Sequence, residues 1–343
     1  MSIDKYTTVG ILGGSGYTGE ELIKILSKHP KTLIKAVSSR GLIGKSLNEI
    51  YPDLDEDIRL SFVEHSESIF EDCDYIFFAT PHGVSMKLTK KYLSLGIKII
   101  DLSADFRLQD KSLWKKWYSA DHSDPSLLKV ATYGLVELNG ISISKSSLVS
   151  VPGCYPTAAL LGLLPILRTD FKIKSITIDA KSGISGAGRK KVEDNYLNDM
   201  KDNFKAYSVD GHRHLPEIKQ EIDKLYGEGI DISFQPHLIP TMRGLYVSSY
   251  IQIENLGDIN LFSLYKEFYK NSCSVHILNK NKVPSLHGVI KTNRCEISVH
   301  RTTQPDQLLV LSCIDNLVKG AAGQAVECYN LMEENKVNLG LAD

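Results

Sequence analysis

Cys154 stands between two prolines, in Val151-Pro152-Gly153-Cys154-Tyr155-Pro156-Thr157, immediately before the apolar run Ala158 to Leu167. The run predicts a buried helix, and Pro156 suits its first turn, where an N–H is not needed. The cysteine then lies at or just before a helix N-terminus, where partial positive charge favours the thiolate, the nucleophilic form. Gly153 allows a sharp turn and close approach to a ligand. A small apolar cap would occupy the same place, so position alone leaves both readings open. A proton-transfer partner is offered by Gly211-His212-Arg213-His214-Leu215-Pro216-Glu217. Pro216 is expected as the first residue of a helix whose apolar face is Ile218, Ile222 and Leu225, so that His214 and Glu217 reach one crevice. Two histidines suggest metal, but no third ligand stands at useful spacing.

Other residues could bind anions. Lys181-Ser182-Gly183-Ile184-Ser185-Gly186-Ala187-Gly188-Arg189 is expected to fold into a nest of N–H groups and hydroxyls; it lacks P-loop spacing, which argues against an NTPase. A flexible loop is the alternative. Arg107, Ser103 and Thr80 follow predicted strands and are candidate anion or hydrogen-bond ligands. His82 reads equally well as solvated or catalytic. His237 and Arg243 either contact substrate or only shape a loop. Asp315 is expected to cap the last helix, and Asn316 either extends that cap or hydrogen-bonds a carboxamide.

These residues need a scaffold. Val9 to Leu12 reads as a strand, Gly13-Gly14-Ser15-Gly16-Tyr17-Thr18-Gly19 as a turn, and Glu20 to Leu26 as a helix. Gly14, Gly16 and Gly19 match the GxGxxG spacing that lets backbone approach a pyrophosphate at a helix N-terminus. The next strand, Leu33 to Val37, ends in Ser38-Ser39-Arg40 rather than in an acid. Two hydroxyls and a guanidinium suit a 2′-phosphate, which favours NADP over NAD. Strands at Tyr75 to Ala79, followed by Thr80-Pro81, and at Ile97 to Leu102 continue a parallel sheet.

From about Ser150 the pattern becomes that of a mainly antiparallel sheet: Ser175 to Ala180, Leu245 to Ile253, Val289 to Val299 and Leu308 to Cys313. The expected fold is α/β, a Rossmann-type doubly wound parallel sheet joined to an α+β domain with a mainly antiparallel sheet. Residues 1–149 would form the first domain, completed by a C-terminal helix over 315–343, and 150–314 the second.

Bulk properties narrow the function. The chain has 343 residues, a formal net charge of -1, and no apolar stretch long enough to span a bilayer. Neither nucleic acid nor a membrane is expected as partner. Six scattered cysteines without a CxxC pair argue against a disulfide scaffold or structural zinc. With no signal-peptide pattern at the start, a cytoplasmic protein is expected.

The set of motifs GGSGYTGEEL, ATPHG, DLSADFRL, YGLVEL, VPGCYPTA, SGISGAGRK, HRHLPEI, PHLIPTMRG and DNLVKGAAGQA resembles the N-acetyl-γ-glutamyl-phosphate reductases of arginine biosynthesis. The motifs run in family order from residue 10 to about 330. The resemblance implies that Cys154 is the acylated nucleophile, His214 the general acid/base and Glu217 its orienting partner. It implies cofactor contacts from Ser182, Gly183 and Asn316. Phosphate or substrate contacts are implied for Ser185, Gly186, Gly188, Arg189 and Arg213. The implied cofactor is NADP(H), the substrate a small acyl phosphate, and the assembly a homodimer or homotetramer. Departures are local: YGLPE reads Tyr133-Gly134-Leu135-Val136-Glu137, and Val151 replaces an Asn found in some members. Two rivals are a reductase of carrier-bound aminoadipyl phosphate and a non-catalytic NADP-binding redox sensor.

Overall fold

The computed structural model describes residues 6–65, 67–192 and 199–342. The chain divides into two units, one comprising residues 1–152 and 321–342 and the other residues 153–320.

In the first unit, short apolar segments pair only in parallel, as crossover helices require. The strands are β1 (Thr7–Leu12), β2 (Thr32–Ser38), β3 (Phe62–Val63), β4 (Tyr75–Phe78), β5 (Lys98–Asp101), β6 (Thr132–Tyr133) and β7 (Leu148–Ser150). They are ordered β3-β2-β1-β4-β5-β7-β6. The order reverses at β1, so the crevice beyond β1 and β4 is the topological switch point. Leu12, the last residue of β1, is in register with Ser38 on one side and Phe78 on the other. The helix Tyr17–Leu26 buries Leu22, Ile23 and Leu26, as their 3.6-residue spacing dictates.

The chain returns to this unit at its end, in a shorter helix than the 315–343 expected. A π-helical turn at Val318–Ala322 precedes the α-helix Gly323–Met332. Beyond it the tail folds back, because the Asn330 amide donates to the carbonyls of Val337 and Leu339. Asn330 Oδ1 also meets Nε2 of buried His29 at 3.0 Å, while His29 Nδ1 meets Thr32 Oγ1 at 2.7 Å. Glu333 receives the hydroxyls of Thr7 and Tyr75. These bonds tie β1, β2 and β4 to the last helix.

The second unit is built on β8 (Lys172–Ser182), β9 (Lys205–Ala206), β10 (Asp231–Leu238), β11 (Leu245–Glu254), β12 (Val275–Ile277), β13 (Cys295–Arg301) and β14 (Gln307–Ile314). Their order is β12-β13-β14-β11-β8-β10-β9. The pairs β10–β8 and β12–β13 are parallel and the other four antiparallel. The apolar segment expected at Val289 to Val299 is split. Leu286–Val289 is a short helix, and the strand begins at Cys295.

Helix Cys154–Leu167 packs on β11 and β14. Every residue from Tyr155 to Leu167 is buried, which an all-apolar helix requires. Pro165 lies inside it and removes the N–H that would serve the Leu161 carbonyl. The Tyr269 hydroxyl donates to that carbonyl instead, and the Ser312 hydroxyl reaches the Ala158 carbonyl at 2.8 Å.

Two measurements test this account. Tyr269→Phe leaves the Leu161 carbonyl buried without its hydroxyl donor, so denaturant unfolding should show a loss of about 1–3 kcal/mol. A loss within error of zero would refute the repair. The second concerns His29, whose pKa burial lowers from 6.5. Its contribution is present above the unfolded-state value and lost as pH falls through the folded one. Stability should therefore fall on acidification below about pH 6.5, and the pH slope of His29→Asn should be shallower by up to about 1.4 kcal/mol per pH unit.

Candidate active site

The nucleophile candidate sits where a backbone turn meets a helix start. Gly153 is extended at the N-cap, with φ -65° and ψ 156°, and Cys154 is the first helical residue, partly exposed. The orphan N–H groups of the first helical turn thus surround the thiol's end of the helix. Cys73, Cys295, Cys313 and Cys328 are buried, and burial raises the thiol pKa of Cys73 to about 11 and that of Cys313 further. A raised thiol is a poor nucleophile at neutral pH, so these are bystanders.

His214 opens the helix His214–Tyr226, and Glu217 lies one turn later. Pro216 therefore stands at the third helical position rather than the first, where its missing N–H still costs no helical bond. Both side chains turn inward: His214 is 7% and Glu217 1% exposed. Glu217 Oε1 accepts the Gly153 N–H at 2.9 Å. A β-carbon on Gly153 would lie 2.4 Å from His214 Nε2, so the imidazole rests directly on that glycine. One helix thus contacts the residue before Cys154 with both groups.

His212 belongs to the same cluster. Its Nδ1 accepts the His214 N–H at 3.1 Å, and its ring meets that of His214 edge-on at 4.7 Å. Burial, and secondarily Arg213, holds the His212 pKa down to about 4, so the ring is a neutral acceptor. Tyr155 packs edge-on against both imidazoles. Its own pKa is raised, by burial first and then by Tyr207. Arg213 is exposed at the N-cap of the helix.

The Lys181–Arg189 segment does not form the expected nest. The N–H groups of Gly183, Ile184 and Ser185 donate to the carbonyls of Gly244, Thr241 and Met242, and those of Gly186 and Gly188 to Gly183 and Ser185. These donors are consumed in stitching the loop to Thr241–Gly244, where a β-carbon on Gly183 would meet backbone at 2.8 Å. The Ser182 hydroxyl donates to the Gly183 carbonyl, and the Ser185 hydroxyl accepts from Asn316 Nδ2 at 2.9 Å. Gly186 and Gly188 reach the surface, with Arg189 partly exposed after them.

Asn316 Oδ1 accepts the Gly244 N–H at 2.7 Å, so its amide joins two loops. Asp315 is fully buried and accepts from the N–H groups of Leu317 and Val318, as a cap does. It also accepts from the Lys291 N–H and from Arg243 Nε, giving Arg243 a structural duty. His237 Nδ1 lies 3.2 Å from Asp179.

In the first unit the glycine turn has the shape a dinucleotide needs. Gly13 has a φ of +86°, and a β-carbon on Gly19 would lie 2.4 Å from the Gly13 carbonyl oxygen. The turn therefore closes on the first residues of the helix with room only for backbone. Ser15, Gly16, Tyr17 and Thr18 are partly exposed around it. The Ser39 hydroxyl donates to that of Ser15, Ser38 Oγ lies 3.4 Å from the Gly13 N–H, and Arg40 is exposed beside them. The buried Thr80 Oγ1 has no hydrogen-bond partner among the described residues, and Pro81 next to it is exposed. A cradle of glycines with an orphan hydroxyl at the switch point fits a nicotinamide dinucleotide.

Ser103 and Arg107 are held differently from solvent-facing ligands. The Ser103 hydroxyl donates to Asp101 within a buried network that includes Ser85 and Asp105. Burial, then the neighbouring Asp105, raises the Asp101 pKa. Arg107 donates to the carbonyls of Val151 and Leu102, both at 2.8 Å, anchoring the strand end that leads to Pro152. His82 is exposed against the Tyr118 ring. Sequence reasoning missed the structural part played by His212, for which the only signal was its place two residues before His214.

Comparison with known proteins agrees with this assembly. The family model described as semialdehyde dehydrogenase, NAD binding domain, matches residues 8–146, and that of the semialdehyde dehydrogenase dimerisation domain matches residues 154–316. Among solved structures, aspartate semialdehyde dehydrogenase II of Vibrio cholerae superposes with a TM-score of 0.73 at 15% identity, covering 96% of this chain and 99% of that one. The Candida albicans aspartate semialdehyde dehydrogenase with NADP gives 0.70 at 15% identity, covering 96% and 99%. These establish the shared fold, a parallel dinucleotide-type sheet with a second, mainly antiparallel one. An N-acetyl-gamma-glutamyl-phosphate reductase of Aromatoleum aromaticum is 42% identical over 334 residues, 97% of each chain. That of Acinetobacter baylyi is 44% identical over 341 residues, again 97% of each. The chain belongs to the N-acetyl-gamma-glutamyl-phosphate reductase family of semialdehyde dehydrogenases.

Proposed function

We propose that the protein reduces N-acetyl-γ-glutamyl phosphate to N-acetylglutamate semialdehyde with release of phosphate, an NADPH-dependent step of arginine biosynthesis. The observation that carries this reading is the joint hold on Gly153: Glu217 takes its N–H and His214 covers its α-carbon, beside a cysteine at a helix start. An acyl phosphate needs a nucleophile, an anion-tolerant surrounding and a proton, and those residues supply the first and last.

The Cys154 thiolate attacks the acyl carbon, and the carbon–oxygen bond to phosphate breaks, leaving a thioester. N–H groups at the helix start stabilise the oxyanion that develops during attack. NADPH, held by the Gly13–Gly19 turn with Ser38, Ser39, Arg40 and Thr80, supplies the hydride when bound. The carbon–sulfur bond then breaks as the aldehyde forms and the Cys154 thiolate returns, and the one proton consumed in the turnover, relayed by His214, ends on the released phosphate. Glu217 acts through Gly153 as a positioning residue, keeping the turn closed against the imidazole. Cationic side chains, among them Arg107, Arg189 and Arg213, offset the charge of the departing phosphate. Residues 154–316 provide the subunit contact of a homodimer or homotetramer, and the enzyme works in the cytoplasm.

The decisive assay runs the reaction backwards, with semialdehyde, phosphate and NADP. Cys154→Ser should abolish NADP reduction while cofactor binding, read by fluorescence quenching or calorimetry, is kept. Substantial turnover in that variant would overturn the assignment. Gly153→Ala should place a methyl against the imidazole and lower kcat by about 100-fold with cofactor affinity unchanged. Near-normal kcat would show that His214 has no need of this glycine.

A further inference from the structure

Asp315 anchors a π-turn, and that turn ends against the nucleophile. The carboxylate receives four donors, Leu317 N–H and Val318 N–H on Oδ1, Arg243 Nε and Lys291 N–H on Oδ2. With its side chain so held, the Asp315 carbonyl accepts the Gly320 N–H at 2.9 Å, five residues on, and the chain takes the wide π-helical path at Val318–Ala322. Such turns cost stability relative to a regular helix and concentrate at functional sites. Here the extra width carries Gly320 to the catalytic cysteine. A β-carbon at position 320 would lie 3.0 Å from Cys154 Cβ, 3.2 Å from the Asp315 carbonyl oxygen and 3.2 Å from Ile314 Cδ1.

We propose that Gly320 is a positioning residue for Cys154: the Asp315-anchored π-turn lays bare backbone against the cysteine β-carbon and fixes the direction of its thiol. The inference rests on Cys154 being the acyl-carrying nucleophile and adds a residue to that site. A side chain at 320 has to displace either the cysteine or the turn. Because the cysteine is the first residue of its helix, its side chain yields before a turn whose Leu317, Val318 and Gly320 N–H groups are all bonded to Asp315.

The test reads the thiol directly. In Gly320→Ala, the rate of Cys154 alkylation by iodoacetamide, followed by mass mapping across pH 6 to 9 around the usual thiol range, should fall by roughly tenfold, and kcat by a similar factor. KM for the acyl phosphate and NADP binding should stay within about twofold. Alkylation and kcat both within about twofold of the parent overturn the proposal. Loss of turnover in Cys154→Ser bears on the nucleophile assignment alone, so the two failures are distinguishable. Unfolding supplies a second readout that needs no activity. If Cys154 Cβ is the obstacle, the drop in melting temperature caused by Gly320→Ala should shrink when Cys154→Gly is made with it. Equal drops in both backgrounds, or failure of both proteins to fold, assign the glycine to Asp315 and Ile314 and refute the proposal.

Discussion

The hydrogen bond from the Gly153 N–H to the buried Glu217 carboxylate is the contact on which the site depends. A carboxylate 1% exposed is costly to bury, and backbone donors are one way to offset that cost. The bond fixes the turn before Cys154 relative to the helix that begins at His214. Since both helix starts lie in one unit, Cys154 and His214 are placed by one direct circuit of contacts rather than by long loops. The glycine is indispensable to that circuit because its missing side chain is the space the imidazole uses.

Around this circuit the polar residues divide into those that touch backbone and those that face outward. Asp315, Arg243, Asn316, Ser182 and Ser185 hydrogen-bond to other parts of the protein. Such saturation gives a rigid base, because leaving any one partner unmet in the interior would cost more than the bond itself contributes. Outward-facing Gly186, Gly188, Arg189 and Arg213 border solvent, where an anionic substrate arrives. An anion-binding function for the first group would have to compete with existing bonds; for the second it would not.

How much of this was legible in the sequence follows from the range of each interaction. The β1–glycine–helix unit was legible because its signals are local: alternation of strand and helix, and glycines at fixed spacing. The buried helix after Cys154 was legible from its unbroken apolar run. The SGISGAGR segment misled, since three glycines suggest a nest while the actual partners of its N–H groups lie at Thr241–Gly244, some sixty residues away in the chain. Pairing of that kind leaves no local trace. Spacing placed Glu217 near His214, but the bond from the Gly153 N–H to its carboxylate spans sixty-four residues and leaves no local trace either. Likewise a π-turn is set by the saturation of Asp315 and by the close approach of Gly320, neither of which a helical periodicity records.

Fold and chemistry are separable here, and the separation shows where specificity must reside. The semialdehyde dehydrogenase architecture persists at 15% identity with TM-scores of 0.73 and 0.70, so strands and layers alone do not select a substrate. What a reaction through a thioester demands is a thiol aimed at an acyl carbon, a proton source beside it, and a dinucleotide cradle. An added β-carbon would crowd His214 at Gly153 and Cys154 at Gly320, and the turn of the cradle closes at Gly13 and Gly19. Glycine positions of this type constrain the chemistry without choosing among acyl groups. Beside Cys154, the Tyr155 ring packs edge to face against His212, His214 and Phe234, so the residue that follows the thiol is itself held by an aromatic cluster.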